Sequence, residues 1–324
     1  MRLIFFATQD WAAEILDSLI KETVFDVVAV ITQPNRPTGR KQILTASPVK
    51  RIALLHHLPV YQPTKLREPE FLRTLKEYNA DIAVVMAYGR LLPQELLTLF
   101  PNGVLNVHPS LLPKWRGPSP VQATIAAGET VSGVTVMKID EQMDHGPILS
   151  QQSINISTDE TTTSFMKKVV DVAGPLLKET LKKYVAGFIH PQPQIETNAT
   201  YCKLLTRQDG KMNWNDTAAQ IDQLVRAHTP WPASWTEGLF HNHTLRLKLL
   251  KVHIGFPTQN HPIGTIFSQD NRLYIATGQG TIEIDEIQPE GKSVLTAKVF
   301  LSGYGQILGQ VLVSSAEETK TQIK

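Results

Sequence analysis

Two apolar runs at the N-terminus, with an amphipathic stretch between them, constrain the fold most strongly. Residues 2–8 (RLIFFAT) and 26–32 (DVVAVIT) are typical of buried strands. Asp10 can cap a helix over residues 11–20, where apolar side chains recur at helical spacing. A β-α-β opening favours a parallel sheet. The turn after the first strand reads ATQD, without a Gly-x-Gly-x-x-Gly fingerprint, which argues against dinucleotide binding.

Further apolar runs extend this sheet. Residues 80–87 (ADIAVVMA), 103–107 (GVLNV) and 132–139 (SGVTVMKI) each predict a strand. Ligands of open parallel sheets bind outside the carboxyl ends of the strands. The residues at the ends of these runs are therefore the first candidates for a functional site.

Asn106 and His108 stand two residues apart where one such strand runs out. Extended backbone points both side chains the same way, and an amide beside an imidazole can stabilise an oxyanion and move a proton. A capping Asn and a packed His explain the same residues, so both interpretations stay open. The loop after residues 132–139 carries Asp140 and Asp144, either as turn formers or at the same sheet edge as Asn106 and His108. Because Asp-x-Asp spacing is absent, we predict no metal site.

Basic residues concentrate in two loops. Residues 33–47 include Arg36, Arg40 and Lys41, which form either a solvated loop or an arm that contacts phosphate. The Lys-Trp-Arg triplet at 114–116 is either a surface turn or a second contact to phosphate or a stacked base.

Composition excludes several classes of protein. Hydrophobic content is 42% and charged content 19%, which indicates a globular chain, and the net charge of +2 gives no general nucleic-acid signature. The single Cys202 excludes an internal disulfide framework and a Cys-rich zinc site. No signal peptide or membrane-spanning run is visible. We therefore expect a cytoplasmic protein without a membrane partner, and a monomer.

A proline-rich, aperiodic segment at 190–206 predicts a linker. It separates a first domain at 1–189 from a second at 207–314, and residues 315–324 are expected to be a tail. Short alternating runs in the second domain predict a small β-barrel. The predicted fold class is α/β, with a Rossmann-like, mostly parallel sheet domain followed by a small OB-like β-barrel domain.

These motifs together resemble the methionyl-tRNA formyltransferase family over nearly the whole chain. The N-terminal half also resembles the wider group that uses 10-formyltetrahydrofolate, including glycinamide ribonucleotide formyltransferases, and the basic loop and C-terminal domain narrow the resemblance. The segments that carry it are QPNRPTGR (33–40), SPVK (47–50), AYG (87–89), NVHPSLLP (106–113), WRGPSP (115–120), MDHGPIL (143–149) and RAHTPWPASW (226–235).

The resemblance implies a reaction and its partners. A formyl group moves from the co-substrate 10-formyltetrahydrofolate to the α-amino group of methionine on initiator tRNA, giving N-formylmethionyl-tRNA for translation initiation. Domain 1–189 then becomes the folate-binding catalytic domain, and domain 207–314 binds tRNA. The catalytic positions are Asn106, His108 and Asp144, where Asp144 either accepts the proton of the attacking ammonium or orients His108.

The resemblance also suggests binding residues. Folate contacts are expected from Ser110, Leu111, Leu112 and Pro113, with Met86, Tyr88, Gly89 and Asp140 at the edge of the folate slot. Contacts to tRNA are expected from Arg36, Arg40 and Lys41 in the basic loop and from Arg246 and Lys248 in the barrel.

Two alternatives remain. The same folate domain could formylate another amine, such as an amino sugar nucleotide, or the chain could be a catalytically silent tRNA-binding module. The intact Asn106, His108 and Asp144 argue against silence, and the C-terminal barrel argues against a glycinamide ribonucleotide enzyme.

Overall fold

A computed structural model describes residues 1–39, 42–257 and 260–314. Within these ranges the chain forms two compact units, described separately below, and the domain boundaries expected from the sequence stay predictions. The first unit contains Met1–Pro120, Val131–Asn155 and Met166–Lys203, and the second contains Val121–Thr130, Ile156–Phe165 and the described residues from Leu204 onward.

The described residues of the first unit form a seven-stranded sheet and a separate two-stranded ribbon. The strands are β1 (Arg2–Ala7), β2 (Asp26–Ile31), β3 (Arg36–Thr38), β4 (Ile43–Thr45), β5 (Val60–Tyr61), β6 (Ile82–Met86), β7 (Val104–His108), β8 (Val131–Lys138) and β9 (Ile148–Asn155).

Helices connect these strands and continue into the rest of the chain. Short 3-10 turns lie at Glu196–Asn198, Arg207–Gly210 and Gly305–Ile307. The α-helices are α1 (Asp10–Ile20), α2 (Pro48–Leu55), α3 (Pro69–Glu77), α4 (Gln94–Leu97), α5 (Pro120–Ala126), α6 (Thr162–Val185), α7 (Ala218–His228) and α8 (Ala297–Tyr304).

The large sheet has the order β5-β2-β1-β6-β7-β8-β9. Its first five strands are parallel, whereas β8 pairs antiparallel with both β7 and β9. Every residue of β6 is buried, as expected for a strand covered on both faces. Ile4, Phe6, Val85 and Val104 share one apolar cluster on this sheet. The continuous apolar runs of the sequence thus form the centre of the sheet.

The basic loop contains regular structure. Residues 33–47 are predicted to form a loop, but β3 and β4 pair there in antiparallel register, with Arg36 opposite Thr45. Ile43 and Thr45 are β-branched residues, which favour extended backbone. Arg40 and Lys41, between these strands, lie outside the described residues.

The second unit contains an antiparallel sheet that curls as a half-barrel. Its order is β10-β11-β14-β13-β12, and β15 pairs with β14. Ile221 and Val225 of α7 share a buried cluster with residues of this sheet and with Phe300 of α8. The strands are β10 (Ser234–Phe240), β11 (His243–Ile254), β12 (Ile266–Gln269), β13 (Arg272–Ala276), β14 (Thr281–Pro289) and β15 (Leu295–Thr296).

The predicted fold class is therefore confirmed: a Rossmann-like, mostly parallel sheet is followed by a small, partly open barrel. Among the residues described, no helix combines the length and apolar character needed to cross a membrane.

The pairing of β8 with β9 depends on a close approach at Gly133. A Cβ added there would lie 2.1 Å from the Gln152 carbonyl oxygen and 2.7 Å from Leu111 Cδ2. Because main chain cannot move aside easily, we expect Gly133→Ala to lower the free energy of unfolding by about 1–3 kcal/mol. Thermal unfolding followed by circular dichroism measures this change.

Gly174→Ala is the matched control in the same unit. A Cβ at Gly174 lies 3.7 Å from Ser18 Oγ, an ordinary contact, and Ala is favoured over Gly inside a helix by about 0.5–1 kcal/mol. The control should unfold at or above the wild-type temperature. An unchanged Tm for Gly133→Ala would contradict the tight packing of β8 on β9.

Candidate active site

The carboxyl end of β7 carries two of the polar residues that the sequence singles out. Asn106 is half-buried and His108 is buried. They alternate along the strand with Leu105 and Val107, which are buried apolar residues. Strand periodicity therefore puts the amide and the imidazole on one face of the sheet.

Both side chains meet the carboxylate of Asp144. The Asn106 amide donates to Asp144 Oδ1 over 3.3 Å, and His108 Nδ1 lies 3.7 Å from Asp144 Oδ2. The main-chain N–H of Gly117 donates to the same Oδ2 over 2.8 Å. The structure thus brings the three predicted catalytic residues together, with the Asp144 side chain only 14% exposed.

The route by which Asp144 reaches this site differs from the expected one. One of the two interpretations of this loop puts it at the sheet edge where β7 ends. Because β8 is antiparallel, Lys138 at its end lies opposite Leu105 instead, near the start of β7. The loop then folds back, and the main-chain N–H of Lys138 donates to the Pro147 carbonyl over 2.9 Å.

The imidazole of His108 has a defined tautomer. Its Nε2 lies 2.9 Å from the carbonyl oxygen of Trp115. A carbonyl oxygen only accepts, so Nε2 carries a hydrogen and donates it. The ring atom that faces Asp144 is therefore Nδ1, and it is the nitrogen that can exchange a proton within the site.

Gln194 holds the backbone around Asp144, which adopts a left-handed conformation with φ of 50°. This conformation is costly for a residue other than glycine. The Gln194 side-chain amide donates to the carbonyl oxygens of Asp144 over 2.9 Å and of Gly146 over 2.8 Å. The sequence does not single out Gln194 or Gly117, since one lies 50 positions from Asp144 and the other acts through its main chain.

The segment 110–113 is fixed by hydrogen bonds to the neighbouring strands. Thr135 Oγ1 donates to the Ser110 carbonyl over 2.6 Å and accepts from the Leu112 N–H over 3.1 Å. The Gln151 amide donates to the Leu112 carbonyl over 2.8 Å. Ser110 and Leu112 are buried, whereas Leu111 and Pro113 are half-buried and keep surface for a ligand.

The end of β6 is also buried. Met86 is inaccessible, and Tyr88 is 2% exposed. The Tyr88 carbonyl accepts from Thr8 Oγ1 over 3.3 Å and from Gln33 Nε2 over 3.0 Å, and burial raises the pKa of its phenol. Gly89 follows with φ of 77°, where the chain turns sharply.

An open cleft of about 650 Å³ begins one residue beyond Gly89. Its lining combines basic side chains with leucines. Arg90 is fixed there because it donates to the carbonyls of Pro63 and Thr64 over 3.0 and 2.8 Å. No sequence pattern predicts this cleft. The residues that line it are Lys65, Leu66, Arg67, Arg90, Leu91, Leu92, Pro93, Gln94 and Glu141.

Asp140 is held within its own loop. It accepts from the main-chain N–H of Gln142 over 2.9 Å and lies 2.6 Å from His145 Nδ1. Across the described ranges, no cluster of three or more His, Cys, Asp or Glu side chains is arranged to hold a metal ion.

The predicted tRNA contacts have different surroundings. Arg36 is exposed on β3. In the second unit, the Arg246 guanidinium lies 4.1 Å from the centre of the Trp235 ring and pairs with Glu237 Oε1 at 2.9 Å. Lys248 is half-buried on the same strand, opposite Trp235.

Comparisons with known proteins agree with this architecture. The family profile described as formyl transferase matches residues 1–181, and that of the formyl transferase C-terminal domain matches residues 204–305. Among solved structures, WlaRD, a sugar 3N-formyl transferase, superposes with a TM-score of 0.65 at 19% identity over 90% of this chain and 99% of its own. The N-formyltransferase of Helicobacter canadensis superposes with a TM-score of 0.63 at 18% identity over 87% and 98%. At these identities the two structures show the shared fold.

Curated relatives are more similar in sequence. The methionyl-tRNA formyltransferase of Myxococcus xanthus (strain DK1622) is 39% identical over 94% of this chain and 95% of its own length. That of Thermodesulfovibrio yellowstonii is also 39% identical, over 93% of this chain and 95% of its own length. The chain therefore belongs to the methionyl-tRNA formyltransferase family.

Proposed function

We propose that this protein is a methionyl-tRNA formyltransferase. It transfers the formyl group of 10-formyltetrahydrofolate to the α-amino group of methionine on initiator tRNA, and N-formylmethionyl-tRNA for translation initiation is the product. The observation that carries the proposal is that Asn106 and His108 both approach the Asp144 carboxylate in a chain of this family. We further propose that it acts in the cytoplasm as a monomer.

The reaction needs a preorganised site for an oxyanion. The amine attacks the formyl carbon, a C–N bond forms, and the carbonyl electrons move onto oxygen. We assign the oxyanion to the second amide N–H of Asn106, because the first is bonded to Asp144. His108 Nδ1–H is the second donor when that nitrogen is protonated.

Proton transfers complete the turnover. When the tetrahedral intermediate collapses, the bond to the folate nitrogen breaks and its electrons return to that nitrogen, which takes a proton. His108 supplies this proton from Nδ1, since its Nε2 hydrogen is bonded to the Trp115 carbonyl. Both oxygens of Asp144 already accept hydrogen bonds, from Asn106 and Gly117. We therefore assign to Asp144 the role of orienting the Asn106 amide and the His108 imidazole. Its remaining lone pairs are available to receive the ammonium proton through water.

Folate binding is assigned to the neighbouring surfaces. The half-buried Leu111 and Pro113 offer apolar contact, while buried Ser110 and Leu112 hold that segment in place. We assign the edge of the slot to the turn at Met86, Tyr88 and Gly89 and to the loop at Asp140, whose chain neighbours Arg90 and Glu141 line the cleft. A flat pterin with an anionic tail suits an apolar slot beside cationic side chains.

Binding of tRNA is assigned to basic side chains in both units. Arg36, Arg40 and Lys41 provide one cluster, and Arg246 and Lys248 provide the other. Phosphate contacts of this kind position the nucleic acid without reading its sequence.

One assay tests the function. Initiator tRNA is charged with methionine and incubated with the protein and 10-formyltetrahydrofolate, and N-formylmethionine is measured after hydrolysis. We expect product formation that depends on both substrates. Transfer to an amino sugar nucleotide or a free amine, with none to methionyl-tRNA, would refute the proposal in favour of the small-amine alternative.

Asn106→Ala tests the oxyanion assignment. Loss of one oxyanion donor costs about 100- to 1,000-fold in turnover, so we expect kcat to fall by that factor while the Kd for folate changes little. Asn155→Ala, on the exposed end of β9, is the control and should keep wild-type rates. Single-turnover formylation at near-normal rate by Asn106→Ala would remove Asn106 from the chemistry.

Arg36→Ala tests the tRNA assignment. Loss of one phosphate contact should raise the KM for methionyl-tRNA and reduce the slope of log binding constant against log salt by about 1. The KM for 10-formyltetrahydrofolate should not change. Arg73→Ala is the control, because Arg73 is an exposed arginine on α3, 3.9 Å from Glu77. If both variants bind tRNA alike, Arg36 makes no phosphate contact.

A further inference from the structure

Arg116 is a buried cation next to the candidate active site. It is 1% exposed, and four side-chain hydrogen bonds engage its guanidinium group. Nη1 and Nη2 donate to the two carboxylate oxygens of Glu196 over 3.0 and 2.9 Å, Nη1 also donates to the Tyr201 hydroxyl over 3.0 Å, and Nε donates to Gln194 Oε1 over 3.1 Å. The Arg116 side chain is therefore neither exposed nor available to contact phosphate, although Lys114 is exposed and Trp115 half-buried in the turn before it.

The residues on either side of Arg116 orient the catalytic side chains. The Trp115 carbonyl accepts the hydrogen of His108 Nε2, and the Gly117 N–H donates to Asp144 Oδ2. Both flanking residues have left-handed backbone, with φ of 61° and 119°. Two consecutive peptide directions in residues 115–117 therefore set the histidine tautomer and the position of the carboxylate.

Gln194 links Arg116 to Asp144 by a second route. Its side-chain oxygen accepts from Arg116 Nε, and its side-chain nitrogen donates to the carbonyls of Asp144 and Gly146. Each end of this amide thus has its own polar partner. The Gln194 side chain cannot shift without breaking one of these bonds.

The partners of Arg116 come from residues 194–202, which the sequence assigns to a linker. Main-chain bonds join this segment to residues 115–117: the Arg116 N–H donates to the Thr200 carbonyl over 2.9 Å, and the Cys202 N–H donates to the Arg116 carbonyl over 2.8 Å. A Cβ at Gly117 would lie 2.2 Å from the Cys202 carbonyl oxygen. Glu196 is 60% exposed, so it covers the buried arginine from the solvent side, and the guanidinium holds the pKa of that carboxyl below its ordinary value.

We propose that Arg116 and Gln194 are positioning residues for formyl transfer, and that residues 194–202 are a part of the active site. They hold the Trp115 carbonyl, the Gly117 amide and the Asp144 backbone in the geometry that orients His108 and Asp144. This inference rests on the proposed function. It predicts that perturbing either residue lowers the rate of the chemical step and leaves substrate binding intact.

Gln194→Glu separates the bond to Arg116 from the bonds to the Asp144 and Gly146 carbonyls. A glutamate still accepts from Arg116 Nε, but it cannot donate to the carbonyls of Asp144 and Gly146. Displacing a catalytic group by about 1 Å costs about 100-fold, so we expect kcat to fall by roughly that factor. The KM values for methionyl-tRNA and folate should stay within about twofold of wild type, since the surfaces proposed to bind these two substrates do not include Gln194.

Gln192→Glu is the matched control. Gln192 lies two residues away on the same segment, is exposed, and its side chain donates only weakly to the His190 carbonyl over 3.4 Å. It carries the same change of charge and should keep wild-type kcat. Arg116→Lys is the second test variant, because lysine keeps the charge but lacks the fork that binds Glu196 and Gln194 together. Thermal unfolding of each variant confirms that it is folded.

A spectroscopic readout makes the result independent of activity. In ¹⁵N-labelled protein, the His108 Nε2 proton should be visible and protected by its bond to Trp115, with the assignment made by its loss in His108→Asn. We expect this signal to persist in Gln192→Glu and to shift or exchange faster in Gln194→Glu and Arg116→Lys.

The outcomes separate the two proposals. Equal kcat for Gln194→Glu and Gln192→Glu, or a raised KM with unchanged kcat, overturns the positioning role even if wild type is a formyltransferase. If wild type forms no N-formylmethionine, the proposed function fails, and the His108 signal alone then decides the role of Arg116 and Gln194. An unchanged His108 signal in folded Gln194→Glu and Arg116→Lys overturns it.

Discussion

The hydrogen bonds to the Asp144 carboxylate are the interaction on which the candidate site depends. Asn106 donates to one oxygen and the Gly117 N–H donates to the other, beside the imidazole of His108. A mostly buried carboxylate is stable only when donors of this kind replace water. The Asn106 bond fixes the direction of the amide, and the bond from His108 Nε2 to the Trp115 carbonyl fixes the imidazole. Both groups are thus oriented before substrate arrives, which is the condition for stabilising an oxyanion without reorganisation.

This arrangement follows from a change of strand direction in the sheet. The parallel strands β1, β6 and β7 bring the carboxyl ends of the apolar runs to one edge, where His108 lies. The antiparallel β8 returns beside β7, so the following loop is close to Asn106, which pairs with Met137 near the end of β8. If β8 were parallel to β7, the loop after it would instead lie at the carboxyl end of β7, where His108 stands. The fold thus places a carboxylate beside an amide that comes from the middle of a neighbouring strand.

The sequence predicts those features of the structure that depend on local patterns of residues. Continuous apolar runs predict β1, β2 and β6, because a strand buried on both faces leaves that signature whatever its partners. The direction of β8 leaves no such trace, since an apolar run reads the same in a parallel or an antiparallel pairing. Residue type misleads at Arg116 for a related reason: arginine is usually exposed, and the partners that bury this one are 78 to 85 positions away. At Arg246, which stays a proposed tRNA contact, the ring partner Trp235 and the carboxylate partner Glu237 become visible only once β10 pairs with β11.

A buried arginine is a costly way to hold two segments together, because its charge must leave water. An apolar side chain of similar size at position 116 would fill the same volume, but it would not distinguish one register of residues 115–117 against residues 194–202 from another. The guanidinium does, since its five donors have fixed directions and only one alignment satisfies Glu196, Tyr201 and Gln194 at once. Register matters here because a peptide rotated at Trp115 or Gly117 would aim its carbonyl or N–H away from His108 or Asp144. The energetic cost of burying the charge is therefore consistent with a role in geometric specificity rather than in stability alone.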